Sequence, residues 1–243
     1  YLNKLMARLP AVSGNADQTT ALLDIASSLV KYTNGDLAGL MAVAVEGVTT
    51  TDGHIQKRAY RILSIVQQHN PHLLLSDHGI ISRVFVDCAV SCDPSARKQR
   101  FKLLSQIDIA SINPDVREQL VPALLPELMM GTKEVNNKCR TAAFDVIVRW
   151  GRQFMLEGQL EQYLNMVMAG LAAKTPSMMA GAILCLSRLV FEFRAEQCGE
   201  QAVGMLLADA ITILSSPCKE VVKAAIGFIK VCVMVLEKSV LFG

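Results

Sequence analysis

Aromatic residues make up only 5% of this 243-residue sequence, and there is a single tryptophan. Runs alternating apolar and polar residues with the two-residue period of a strand are missing. Leu, Ala, Val, Ile and Met supply the apolar half instead, a mix with strong intrinsic helix propensity. These absences argue against a sheet-built domain. No aromatic interleaved with the basic residues suggests base stacking. Any RNA contact therefore falls to the phosphate backbone.

The short motifs of familiar chemistries are also absent. There is no GxxxxGK[ST], no GxGxxG after a strand, no GxSxG and no HExxH. His54, His69, His72 and His78 lie near one another in sequence, but His72 and His78 are six apart and fall on different helix faces. Cys88 and Cys92 share a face at four apart, yet two thiolates do not fill a zinc site. Cys139 lies between Lys138 and Arg140, cations that lower a thiol pKa, but it reads as a packed thiol on a helix. Trp150 and the Met129-Met130 and Met178-Met179 pairs read as packing. The sequence thus gives no catalytic residue, no metal site, no cofactor and no small-molecule substrate. A thiol-dependent enzyme using Cys139 or Cys88 is the rival reading.

A membrane span is excluded next. The most apolar stretch, VVKAAIGFIKVCVMVLEKS from Val221, is interrupted by Lys223 and Lys230, and a span needs roughly 18 consecutive apolar residues. On a helix, Lys219, Lys223 and Lys230 fall within about 40° of one another. The stretch therefore reads as a helix buried on most of its surface, with a thin basic stripe in solvent. YLNKLMARLP has no apolar core of a signal peptide. No initiator Met precedes Tyr1, and Gly243 follows an apolar run, so the expectation is a piece of something longer. Seven cysteines, an odd number, sit amid helical apolar residues. They fit reduced thiols in a cytosolic or nuclear compartment.

What the sequence does contain is a repeat. HIQKRAYRILSIV, SARKQRFKLLSQI, KCRTAAFDVIVRW, SMMAGAILCLSRLV and EVVKAAIGFIKVCV share one shape. Aligned on Tyr60, Phe101, Phe144, Ile183 and Ile226, they are spaced 41, 43, 39 and 43 residues apart. Three positions later each has an aliphatic: Leu63, Leu104, Ile147, Leu186 and Ile229. A sixth copy centres on Leu22. Between them lie DLAGLMAVAVEGV, HLLLSDHGIISRVFVDCAV, PDVREQLVPALLPELMM, LEQYLNMVMAGLAA and EQAVGMLLADAITIL, also of helical period. Asn34-Gly35-Asp36, Asn70-Pro71, Asp93-Pro94, Asn113-Pro114, Thr175-Pro176 and Ser216-Pro217 mark helix starts, and Gly131 and Gly158 mark stops. Pro122 and Pro126 fall within a first helix. The expected fold is all-α: a HEAT/armadillo-type α-solenoid of about five to six helix pairs, residues 1–243 forming one segment with a period near 40.

Charge is sorted by layer. The first helix of each pair has an acidic surplus, including Asp36, Glu46, Asp77, Asp87, Glu118 and Glu161. The second helices and their leading loops have a basic surplus, Arg100, Lys133, Arg149, Arg152 and Arg188 included. In a solenoid each layer lines one surface, and a basic one attracts RNA phosphate or acidic protein segments. The alternative is a solvating layer whose charges pair between repeats. The candidate binding residues are Lys57, Arg58, Arg61, Arg97, Lys98, Lys102, Lys138, Arg140, Lys219, Lys223 and Lys230. Lys57 aligns with Lys98 and Lys223, and Arg61 with Lys102; Ala180 and Leu184 break the stripe in the fourth copy.

Particular words are more specific than the repeat. PALLPELMMGTKEVNNKCRTAAFDVIV resembles the ALIPE, TKEV and AF segment of the ribosomal RNA processing protein twelve family. HIQKRAYRIL, RLVFEFR and EVVKAAIGFIKV resemble it in the same order, so the resemblance runs from Gly53 to Leu236. It implies a large nucleolar HEAT-repeat factor in the nucleus, associated with pre-ribosomal RNA and small-subunit assembly factors. It also implies support of processing and export and contacts with nuclear transport factors. It carries over no catalytic residue. An importin-like transport receptor or a general protein-interaction module of HEAT type is the alternative.

Overall fold

The structure is a computed structural model that describes residue 4 and residues 16–30, 37–194 and 200–235. Every regular element among them is helical, with no strand. The helices are α1 (Ala16–Leu29), α2 (Ala38–Thr49), α3 (Gly53–His69), α4 (Pro71–Leu75), α5 (His78–Ile81), α6 (Cys88–Val90), α7 (Arg97–Leu104), α8 (Pro114–Gly131), α9 (Asn137–Leu156), α10 (Leu160–Met168), α11 (Pro176–Glu192), α12 (Glu200–Ile213) and α13 (Lys219–Val235). The five repeat segments become α3, α7, α9, α11 and α13, and the sixth copy becomes α1. The Asn34-Gly35-Asp36 start and Cys198 lie outside the described residues.

The helix boundaries have local causes. Pro71, Pro114 and Pro176 open α4, α8 and α11, where a missing N–H costs nothing. Asn70 and Thr175 themselves make no side-chain cap. The caps lie elsewhere. Asp52 Oδ1 accepts from the N–H groups of His54 and Ile55 at 2.8 and 3.1 Å, and Asn136 Oδ1 from Lys138 and Cys139 at 2.9 and 3.4 Å. After α9, Gly158 has φ 72°. That left-handed residue lets Gly158 N–H reach Met155 O at 3.0 Å and Gln159 N–H reach Phe154 O at 2.7 Å. Asp93-Pro94 starts a turn rather than a helix. Asp93 Oδ1 accepts from Ser95 N–H at 2.8 Å, and hydrogen bonds from Ser95 hold its carboxyl below the usual range. Helix α8 runs through Pro122 and Pro126, both exposed.

The first helix expected from His72 to Val90 is broken. Asp77 Oδ1 accepts from Gly79 and Ile80 N–H at 2.8 and 3.2 Å, so Ser76-Asp77 ends one helix and caps the next. A π-helical turn, Ser82–Asp87, follows α5 and leads into α6.

The chain forms two compact units, Tyr1–Leu124 and Leu125–Gly243. In the first, α2 pairs with α3, and α3 packs against α1 on one side and α7 on the other. Leu23, Leu40, Ala44, Tyr60, Ile62, Leu63, Phe85, Phe101 and Leu104 are its buried centre. In the second, α10 and α12 pack against α11 and α13, and α11 packs against both α9 and α13. Trp150, Tyr163, Ile183, Leu186, Phe193, Val221 and Phe228 fill it. The Phe154 and Tyr163 rings stack with centroids 5.1 Å apart, and Tyr163 donates its hydroxyl to Ile147 O at 2.9 Å. The aliphatics three positions after the repeat anchors behave alike: Leu63, Leu104, Ile147 and Leu186 are buried and Ile229 half-buried. Second helices thus stack on second helices within each unit, as the 3.6-residue apolar period requires.

Candidate partner-binding surface

In the first unit, Lys57 and Arg61 are exposed on α3, and Lys98 and Lys102 are exposed on α7. Each pair is four apart on one helix face, about 6 Å between Cβ atoms. The two helices pack together, at the 8–10 Å typical of such contacts. Lys57 shares its repeat register with Lys98, and Arg61 with Lys102, so four exposed cations stand on two packed helices. Arg97 is half-buried. Arg58 is engaged within the unit: its Nε donates to Asp24 Oδ2 at 2.8 Å, and its Nη1 to His54 O at 3.3 Å. Glu46 of α2 likewise pairs with Arg83 at 2.8 Å.

Arg100 departs furthest from the expectation of a basic outer layer. Its residue is fully buried. Its Nη1 donates to Tyr60 Oη at 2.9 Å and Val84 O at 2.7 Å, and its Nη2 to Phe85 O at 2.5 Å. The carbonyls belong to the π-helical turn Ser82–Asp87. Burial pushes the Tyr60 hydroxyl far above its ordinary pKa, against the opposing pull of Arg100, so the phenol stays neutral. Sequence spacing alone placed Arg100 beside Lys98 and Lys102. The π turn that supplies its acceptors has no sequence signature.

In the second unit, Lys138 is exposed at the start of α9. Arg140 is half-buried and donates to Glu134 O and Asn137 Oδ1, both at 2.9 Å. Lys133, also assigned to the basic layer, is a strut. Its Nζ reaches Ser177 Oγ at 2.8 Å and Glu220 Oε1 at 2.5 Å, joining the starts of α11 and α13.

Lys219, Lys223 and Lys230 line one groove of about 500 Å³ along α13, with Ser216, Pro217, Val222, Ile226 and Gly227. Among the described residues no carboxylate lines it. The solvent face of α13 is wider than a thin basic stripe: Ile226 is 43% exposed, Val233 57% and Met234 70%. Ile226 stands in the register of Tyr60, Phe101 and Ile183, all buried. Among the described residues no second helix follows α13.

A second groove of about 410 Å³ lies between α9 and α11, lined by Asp145, Val148, Arg149, Arg152, Arg188 and Glu192. Residue spacing did not single out these arginines as a site. Their equal register, five after Phe144 and Ile183, was the available signal for Arg149 and Arg188.

Among the described residues no group of three His, Cys, Asp or Glu side chains gathers to hold a metal ion, and no helix is long and apolar enough to cross a membrane. The six described cysteines are free thiols; Cys139 is buried and Cys218 half-buried.

No family profile matches the chain. The RRP12-like protein of Gallus gallus is 30% identical over 254 residues, covering 99% of this chain and 19% of that protein. The ribosomal RNA-processing protein 12 of Saccharomyces cerevisiae is 28% identical over 247 residues, 92% of this chain and 20% of its own length. The RRP12-like protein of Homo sapiens is 32% identical over 192 residues, 75% of this chain and 14% of its own. The chain thus spans about a fifth or less of the length of these relatives. Among solved structures, a designed armadillo repeat protein superposes with TM-score 0.52 at 14% identity, over 95% of this chain and 99% of that one. Importin beta does so with TM-score 0.54 at 18% identity, over 95% of this chain and 30% of that one. These likenesses give the fold, a HEAT/armadillo-type α-solenoid. Across most of its length, this chain is a homologue of ribosomal RNA-processing protein 12.

Proposed function

We propose that this segment is a non-catalytic scaffold of ribosome biogenesis, acting on precursors of the small subunit. Exposed cations of its second helices hold RNA backbone or acidic protein segments. The observation that carries this reading is the exposed patch of Lys57, Arg61, Lys98 and Lys102 on two packed second helices. The lysine groove on α13, with no carboxylate among its described lining, supports it in the second unit. Charge on second helices that the fold does not use internally is what a polyanion requires. The names of the relatives support the ribosomal setting. Pre-ribosomal RNA, small-subunit assembly factors and nuclear transport factors are the partners this reading expects, in the nucleus and nucleolus. The decisive test is to replace Lys57, Arg61, Lys98 and Lys102 by Glu and measure association with RNA and with pre-ribosomal particles at several salt concentrations. Unchanged association would count against the proposal.

One observation favours a second reading, a protein-interaction module. Ile226 is exposed where Tyr60, Phe101 and Ile183 are buried and Phe144 half-buried, so the α13 groove also fits a helix with an apolar centre and acidic flanks. That reading expects Ile226→Glu to weaken capture of a protein partner while leaving RNA binding unchanged.

A further inference from the structure

The α9–α11 groove differs in kind from the α13 groove of the same unit. Three guanidinium groups share it with two carboxylates. Arg188 Nη2 lies 2.8 Å from Glu192 Oε1, and the Arg152 guanidinium stands 5.5 Å from the centre of the Phe193 ring. These contacts orient the Arg188 and Arg152 forks. Arg149, Arg152 and Asp145 are exposed. Asp145 and Arg149 are four apart on α9, so an acidic and a basic side chain leave the groove wall with Cβ atoms about 6 Å apart.

That pattern discriminates among ligands. RNA backbone puts a negative charge at every nucleotide, and two of the five charged side chains of the lining, Asp145 and Glu192, repel it. A phosphoryl dianion exceeds the single net positive charge of the lining. An extended polypeptide suits it better: residues i and i+2 point to the same side, roughly 7 Å apart. An acid and a base at those positions match Arg149 and Asp145 in both spacing and sign.

We propose that the α9–α11 groove is a docking site for an extended protein segment whose acidic side chain is held by Arg149 and Arg152, and whose basic side chain two residues away meets Asp145. The proposal rests on the second helices being the binding surface, and it assigns this part of that surface to protein rather than RNA.

The test measures fluorescence anisotropy of two probes with the whole chain. One is a twelve-residue peptide of repeated Glu-Ser-Lys-Ser, which places both charges on one side of an extended strand. The other is a twelve-nucleotide oligouridine. The expected result is that Arg149→Glu with Arg152→Glu weakens the peptide at least tenfold and changes oligouridine less than twofold. The milder pair Arg149→Gln and Arg152→Gln shows the same order with an unchanged melting curve. Asp145→Lys weakens the peptide severalfold. The proposal is overturned if the peptide does not bind, or if Asp145→Lys tightens oligouridine while the arginine variants weaken it, which makes the groove an RNA contact. Failure of the wider scaffold reading shows separately, as indifference of oligouridine to reversal of the α3 and α7 cations.

Discussion

The Arg100 guanidinium stands 2.9 Å from the Tyr60 hydroxyl, forty residues upstream and one repeat away. The same side chain takes the carbonyls of Val84 and Phe85, so a single buried cation joins two second helices to the π turn. Arg100→Ala removes three buried hydrogen bonds and leaves a cavity beside Tyr60. The expected cost is about 3–5 kcal/mol, or roughly 10 °C in melting temperature for a chain of this size. Tyr60→Phe removes one bond to a charged donor and costs about 1.5–3 kcal/mol. Thermal unfolding of both variants and the double variant checks this. An Arg100→Ala loss under 1 kcal/mol would contradict a structural role for the buried cation.

Two glycines of the second unit should respond oppositely to alanine. A Cβ at Gly181 meets Met129 O at 2.6 Å, a backbone atom that has no rotamer to move to. A Cβ at exposed Gly204 in α12 meets nothing within 4 Å. Gly181→Ala is therefore expected to destabilise by about 1–3 kcal/mol. Gly204→Ala is expected to stabilise by about 0.5–1 kcal/mol through helix propensity alone. Urea midpoints with unchanged slopes would confirm it, and equal effects at both sites would refute it.

The repeat was legible because burial obeys a period. Tyr60, Phe101 and Ile183 are buried at equal register, and Leu63, Leu104, Ile147 and Leu186 three positions later. Exposure of the Lys57, Arg61, Lys98 and Lys102 patch follows from the same geometry. The uses of charge were not legible, because the long, flexible side chains of Lys and Arg have a choice of directions that spacing does not fix. Arg100 turns inward to the π turn, Arg58 crosses to Asp24 and Lys133 bridges to Glu220. All three looked like members of one basic layer. The break at Ser76-Asp77 was missed because apolar residues continue in helical period on both sides of it. Exposure of Ile226 breaks the pattern for another reason: burial at that position depends on a neighbouring repeat, not on the helix itself.

Buried protonated groups should make stability fall at alkaline pH. Burial pushes the Cys232 thiol up to about 11, and it raises Cys185, Cys88, Tyr60 and Tyr163 as well. Each group keeps its proton in the fold at a pH where the unfolded chain has lost it. The stabilisation is therefore complete below the unfolded thiol pKa near 8.5 and is lost as pH rises through the folded value. For Cys232 the loss runs from about pH 9 to 11, at up to about 1.4 kcal/mol per pH unit. Melting temperature measured from pH 7 to 10.5 should be flat and then fall. At pH 8, iodoacetamide should label Cys218 ahead of the buried Cys88, Cys92, Cys139, Cys185 and Cys232, since only Cys218 of the six is partly open. Rapid labelling of Cys185 or Cys232 in native buffer would contradict their burial.

Salt dependence separates the cations that meet a polyanion from those that hold the fold. Each phosphate contact on single-stranded nucleic acid contributes about 0.7 to the slope of log affinity against log salt. If Lys57, Arg61, Lys98 and Lys102 each meet one phosphate, reversing all four lowers the slope magnitude by about 3 and the affinity at 0.1 M salt on the order of a hundredfold. Arg58 is the internal control. It lies on the same helix but is paired with Asp24 at 2.8 Å and only a quarter exposed. Arg58→Ala should leave the slope unchanged and cost less than about 1 kcal/mol of stability, as partly exposed ion pairs do. Equal slopes for the native chain and the fourfold variant would remove the phosphate contact from the first unit. A slope that fell equally on Arg58→Ala would mean that net charge, rather than the placed patch on α3 and α7, attracts the RNA.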